Sequence, residues 1–246
     1  MISRESIMAF ATKFHTRDAN VVREYVQHLF LRSLYAKSDA ISLLFKGGTA
    51  LRIVYNSPRF SEDLDFSSFG LRIAQIENLF LSTLADLERS GLSVTLHEKS
   101  HETSGGYYGE AHASIYAHNV ILEINVNVKT LYADSDTSLG EFKLIHNDLV
   151  PNYGLQMLPE AMLVEEKIQA LLTRRKPRDF YDLYFLLRAN LISPAQRDLL
   201  GQACAVIETT EIDFQQELAL FLPQDHQGVI RDFKKNLLSE IKRNIA

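Results

Sequence analysis

The sequence predicts an α+β protein: a mixed sheet flanked by helices, followed by a C-terminal helical bundle. Three observations predict it. From the N-terminus to about residue 150, short apolar runs alternate with segments of helical period. From Pro159 onward the period is helical throughout. A chain of 246 residues, 46% hydrophobic, can bury a sizeable core. The order suggests two units, residues 1–150 as a catalytic core with N-terminal helices and residues 151–246 as a helical domain that contributes to the site.

The elements follow in order. Residues 1–37 read as helical, with Val21, Val22, Tyr25, Val26, Phe30 and Leu34 at helical spacing and Asp18 as N-cap. Ile41–Phe45 reads as a buried strand ending in a Gly47-Gly48 turn, with a short helix over Thr49–Tyr55. Pro58 breaks that helix, and Glu62–Phe66 reads as the next strand. Leu71–Arg89 carries a helical stripe of Ile73, Ile76, Leu79, Phe80, Leu84 and Leu87, capped near Gly91. Leu92–Leu96 and Ala111–Tyr116 read as strands joined by a loop containing Gly105–Gly109. Val120–Val128 is the clearest strand, with apolar even positions and Glu123, Asn125 and Asn127 on the other face. Residues 159–174, 178–189, 194–209, 211–222 and 227–243 read as helices.

Composition excludes several classes. The single Cys204 excludes an intramolecular disulfide framework and a cysteine-based zinc cluster. No apolar stretch approaches the ~20 residues that span a bilayer, and the first residues lack a signal-peptide pattern. The expectation is a cytoplasmic protein with no membrane partner. A net charge of −5 argues against coating nucleic acid through bulk charge, although a local basic patch stays compatible with it.

Asp63-Leu64-Asp65-Phe66 falls where a strand is expected, and a period of two puts both carboxylates on one face. Close like charges repel unless a cation lies between them, and hard oxygen ligands favour Mg2+ or Mn2+. Taken alone, the pair reads first as the solvated face of an edge strand, a common pattern. Its neighbourhood alters the balance. Phe45-Lys46-Gly47-Gly48-Thr49 joins a strand to a helix start, where exposed N–H groups bind phosphate. A phosphate-accepting turn followed by paired acids makes a site for a metal-bound nucleoside triphosphate. Glu123, on the polar face of another strand, can supply a third carboxylate.

Lys46-Gly-Gly-Thr-Ala-Leu51, then Arg59-Phe-Ser-Glu-Asp-Leu-Asp65, resembles the signature of the AbiEii/AbiGii toxin family of nucleotidyltransferases, which includes the MenT-like toxins. Glu166–Leu171 and Arg178–Leu183 match a second block, so the resemblance covers roughly residues 41–190. It implies a DNA-polymerase-β-like nucleotidyltransferase core. Asp63 and Asp65 would bind Mg2+ or Mn2+, with Glu123 as third acid. Lys46, Gly47, Gly48, Thr49, Ser61, Arg178 and Asp179 would surround the nucleotide. Lys167 would contact phosphates, and Asp182 would support the site or act on the acceptor hydroxyl. Spacing leaves open which of Asp179 and Asp182 faces the site, because both lie on one helical face. Without the resemblance, Lys167 reads as a lysine snorkelling from an apolar helix face.

The implied activity moves a nucleoside monophosphate from an NTP to an acceptor hydroxyl. The resemblance makes the acceptor a tRNA 3′ end, the role a toxin of a toxin–antitoxin or phage-defence pair, and the partner an antitoxin encoded nearby. Two alternatives stay open: a small-molecule or protein acceptor, and a nucleotide-binding module without transferase activity.

Other signals carry less. His97-Glu98-Lys99-Ser100-His101 fits the H-E-x-x-H zinc-protease pattern, which requires both histidines on one helix face. It follows a strand and runs into Thr103-Ser-Gly-Gly, so strand-end or loop histidines are expected. The basic runs Arg174–Arg178 and Arg231–Arg243 read as helix-end and solvated charge, with phosphate contact as the alternative for the first. Tyr107 and Tyr108 read as packing residues, with base stacking as the alternative.

Overall fold

The computed structural model describes residues 1–97, 101–129 and 140–245. By contacts, the described chain forms two compact units. One comprises Met1–Asn56 and Phe60–Leu158, the other Ser57–Arg59 and Pro159–Ala246.

The first unit contains α1 (Arg4–Lys13), α2 (Asp18–Leu34), β1 (Leu43–Lys46), α3 (Gly47–Tyr55), β2 (Leu64–Phe69), α4 (Ile73–Arg89), β3 (Ser93–Leu96), β4 (His101–Thr103), β5 (Gly106–Ile115), β6 (His118–Lys129), β7 (Glu141–Ile145) and β8 (Tyr153–Met157). The strands form one mixed sheet in the order β3-β5-β6-β2-β1-β8-β7, with β4 also on β5. β2 runs parallel to β6 and antiparallel to β1.

Register explains why the sheet has two unlike faces. Phe45, Phe66, Val126 and Tyr107 align across β1, β2, β6 and β5, and so do Lys46, Asp65, Asn125 and Tyr108 one residue away. Neighbours in register share a face. The first row packs under α2 and α4: Phe80 of α4 lies 5.9 Å from Phe30 of α2, 6.1 Å from Phe66 and 5.7 Å from Tyr107, centroid to centroid. Such tilted aromatic pairs add to the area each ring buries. The second row is the polar face that carries the candidate acids.

Several elements differ from the sequence reading. Asp18 is the first residue of α2 rather than its cap, which is Arg17. Gly105–Gly109 does not serve as a connecting loop, because β5 already starts at Gly106. A Cβ on Gly106 would lie 1.7 Å from the Val126 carbonyl oxygen, so this glycine permits close approach of β6 rather than a turn. β4, β7 and β8 are additional strands, each only three to five residues long.

The second unit contains α5 (Glu160–Thr173), α6 (Pro177–Arg188), α7 (Arg197–Thr209), α8 (Phe214–Leu218) and α9 (Phe233–Ile245). Its core is a second aromatic cluster, with Phe214 at 5.4 Å from Phe180 and 4.9 Å from Phe233, both edge-on. Leu183, Leu187, Leu200, Ala203 and Leu237 fill the space around it and are fully buried. No described helix is long and apolar enough to cross a membrane.

Candidate active site

In the first unit the site begins at the junction of β1 and α3. Gly47 has φ +84°, a left-handed conformation that favours glycine. A Cβ there would lie 2.1 Å from Asp65 Oδ2 and 2.8 Å from Asp65 Cβ. The missing side chain therefore lets the Asp65 carboxylate lie against the first turn of α3. Lys46 pairs with Asp65 across β1 and β2, and the Thr49 hydroxyl donates to the Asp63 carbonyl. The Gly-Gly turn and the two acids thus share one corner, as their sequence order suggested.

Other residues hold that corner, and local sequence pattern gave no sign of them. Gln27 of α2 donates to the carbonyls of Ser61 and Glu62, both at 3.0 Å, fixing the chain just before Asp63. Arg52 of α3 makes a bidentate pair with Glu24 of α2, and its guanidinium lies 4.0 Å from the Phe60 ring centroid. Burial outweighs the pull of Arg52 and keeps the Glu24 carboxyl above its usual value. These contacts set the direction in which the start of α3 points.

Asp63 directly precedes β2, Asp65 lies within it, and both are half-buried. Glu123 lies exposed on β6, directly across from buried Glu110 on β5. Tyr108 reports on this cluster. Its hydroxyl donates to Glu110 Oε2 at 3.1 Å. Burial, that hydrogen bond and the negative charges of Glu123, Glu110 and Asp63 together push its pKa up to about 12. Carboxylates on β5, on β6 and just before β2 thus act on one hydroxyl. Asp63, Asp65 and Glu123 offer an all-oxygen, multiply negative donor set, which fits a hard divalent cation. Tyr107 is buried against Phe80 and belongs to the core.

The second unit assembles a charged triad. Lys167 of α5 donates through Nζ to Asp182 Oδ2 at 2.7 Å. Arg59 donates to Oδ1 through Nε at 3.0 Å and Nη2 at 2.8 Å. Asp182 is 1% exposed, so each of its oxygens is satisfied inside the protein. Burial raises its pKa, but Arg59 and Lys167 outweigh that and hold the carboxyl below its usual value. Lys167 is therefore drawn inward to a partner on α6, which a snorkelling lysine is not.

Asp179 does different work. It accepts the Lys176 backbone N–H at 2.9 Å at the start of α6 and is paired with Arg174. Of the two acids that spacing left undecided, Asp182 is the one that holds Lys167. Arg178 is half-buried in the first turn of α6. In the second basic run, the Lys234 ammonium donates to the carbonyls of Glu208 and Thr210. His97 follows β3 and His101 opens β4, so neither lies on a helix, while Glu98, Lys99 and Ser100 fall outside the described residues.

Comparisons with known proteins bear on the fold and the family. JHP933 from Helicobacter pylori superposes with a TM-score of 0.66 at 17% identity, covering 94% of this chain and 93% of that one. MenT4, a nucleotidyltransferase toxin from Mycobacterium tuberculosis, gives 0.64 at 15% identity, covering 98% and 89%. At such identities the likeness establishes the fold alone. Comparison with curated protein sequences gives no match. Residues 29–243 match the family described as nucleotidyl transferase AbiEii toxin, type IV toxin–antitoxin system. The chain belongs to the AbiEii family of nucleotidyltransferase toxins.

Proposed function

We propose that the chain transfers a nucleoside monophosphate from an NTP to the 3′-terminal hydroxyl of tRNA, in a reaction dependent on Mg2+ or Mn2+. The observation that supports this reading is the approach of the Asp65 carboxylate to Gly47, at a helix start of the kind that suits phosphate. Asp63, Asp65 and Glu123 are the residues that would hold the metal. When bound, it neutralises charge on the triphosphate and on the attacking and leaving oxygens.

The chain's own residues supply position. N–H groups of Gly48 and Thr49 at the start of α3 face phosphate oxygens, and Lys46 and Ser61 border the same corner. Lys167 carries the positive charge for the nucleotide phosphates, with Asp182 and Arg59 fixing its ammonium as positioning residues. Arg178 and Asp179, in the first turn of α6, are the further residues proposed to surround the nucleotide. The family implies an antitoxin partner and an NTP substrate. The cytoplasm, where NTPs and tRNA are found, is the proposed place of action.

The test is incubation with Mg2+, each of four labelled nucleotides, and purified tRNA, a small-molecule pool or total protein. Label on the tRNA 3′ end, lost with chelator and in folded Asp65→Ala, is the expected result. Label on tRNA at an undiminished rate with Asp65→Ala overturns the metal assignment. Label only on small molecules or protein overturns the acceptor.

A further inference from the structure

His97 enters the sequence as half of a zinc-protease pattern that the strands around it rule out. The sheet gives it other neighbours. Leu96 pairs with Ala111 at the end of the β3–β5 ladder, and the next step is a 2.8 Å hydrogen bond from the His97 N–H to the Glu110 carbonyl. His97 is thus held opposite Glu110. His112 lies two residues further along β5, on the same face as Glu110. Ladder hydrogen bonds alone fix these three positions.

Their side chains converge. His112 Nε2 lies 2.7 Å and His97 Nδ1 3.7 Å from Glu110 Oε1. The three ligand atoms all fall within 4.8 Å of one another. Ligands around a tetrahedral zinc, at bonds of about 2.0–2.1 Å, stand roughly 3.3 Å apart. The 2.7 Å separation has to open by about 0.6 Å and the 3.7 Å separation to close by about 0.4 Å, while the histidine-to-histidine separation, at most 4.8 Å, closes by up to about 1.5 Å through side-chain rotation. The imidazoles lie nearly parallel, 4.9 Å apart at 11°, so both rings turn the same way from the sheet.

Electrostatics favours a cation here. Glu110 is buried and directly opposite Glu123, and like charges across a strand pair are destabilising. Its two oxygens are divided between tasks: Oε1 faces the histidines, and Oε2 accepts the Tyr108 hydroxyl. That outer hydrogen bond fixes the carboxylate in the way that supports a metal ligand. Two imidazoles and one carboxylate select a zinc-class ion over Mg2+ and leave a coordination position open.

We propose that His97, Glu110 and His112 form a second metal site, for Zn2+, on the sheet face that carries the candidate catalytic acids. It is separate in residues and in metal class from the Asp63, Asp65 and Glu123 set, and it does not depend on which acceptor the enzyme uses.

The test uses the full chain, stripped with chelator and titrated calorimetrically with ZnCl2 in excess Mg2+. Wild type and Asp65→Asn are expected to bind Zn2+ with equal affinity at this site, and Zn2+ to raise the melting temperature of both. The double variant His97→Ala/His112→Ala is expected to weaken that binding by more than about tenfold and to lose the thermal shift. Both histidines are partly exposed, and circular dichroism verifies that the variant is folded. His112→Cys, which keeps a zinc-class ligand, is expected to retain binding. Absence of Zn2+ binding in wild type overturns the proposal. So does equal binding in the folded double variant, or loss of all binding in Asp65→Asn.

Discussion

At the scale of single residues, the candidate site depends on two positions where a small change has a large consequence. Gly47→Ala places a methyl group on top of the Asp65 carboxylate at a φ of +84°. The strained backbone costs about 1–3 kcal/mol, and Asp65 must also leave its corner. Loss of nucleotide incorporation is therefore expected to exceed what that destabilisation explains. Urea unfolding beside a kinetic assay checks this, and wild-type rates in the variant refute it. Asp182 is the second position. Because its folded pKa is depressed, the unfolded chain binds the proton more readily. The stability it contributes is present above about pH 4 and lost as pH falls through its lower folded value. Asp182→Asn leaves Lys167 and Arg59 buried without their counter-charge, and is expected to cost about 3–5 kcal/mol at neutral pH. Its stability should then depend less on pH in the acid range, which urea melts from pH 7 to 3 measure.

At the scale of elements, a buried polar seam links α2 to β8. His28 Nδ1 meets the Tyr153 hydroxyl at 2.8 Å, and the ring lies beside the Glu24–Arg52 pair. Burial, then the charge of Arg52, lowers the His28 pKa from 6.5 to about 4. The unfolded state takes up the proton first, so this contribution is complete above about pH 6.5 and lost as pH falls towards 4. Wild type is expected to lose about 2 kcal/mol from this group between pH 7 and 5. His28→Gln, which keeps a partner for Tyr153, should not lose it; equal slopes in both proteins would contradict the assignment.

How much of this was legible depends on the range of the signal. Asp63-x-Asp65 and Glu123 were readable because alternation within one strand is local, and α4 because its stripe is long. β7 and β8 carry too few residues for alternation to stand out, and the glycines around Tyr107 and Tyr108 resemble turn signals although they serve close strand approach. The contacts of Gln27, the pairing of Arg59 with Asp182 and the grouping of His97 with Glu110 and His112 were not readable. Those pairings join residues 13 to 123 positions apart, and only tertiary structure brings them together.

At the scale of the whole molecule, the path of the chain makes the helical unit discontinuous. Ser57–Arg59 lies between α3 and β2 in sequence yet belongs with Pro159–Ala246. The reason is chemical. Asp182 presents two buried oxygens, and Lys167 satisfies only Oδ2; Oδ1 depends on Arg59. Residues 159–246 by themselves therefore lack the Arg59 donor to Oδ1. Removing the guanidinium by Arg59→Ala, in the full chain, is expected to cost the unit about 2 kcal/mol, the upper range for a hydrogen bond to a charged group. Lys167 stays paired with Asp182, so the helices should persist while opening more often. Hydrogen exchange is the direct measure: amides in α5 and α6 should exchange roughly 30-fold faster if local opening controls them. Arg59→Lys restores charge but not the two-pronged contact, so its protection should fall between wild type and Arg59→Ala. Unchanged exchange in α5 and α6 with Arg59→Ala would mean that the helical unit holds Asp182 without help from the segment before β2.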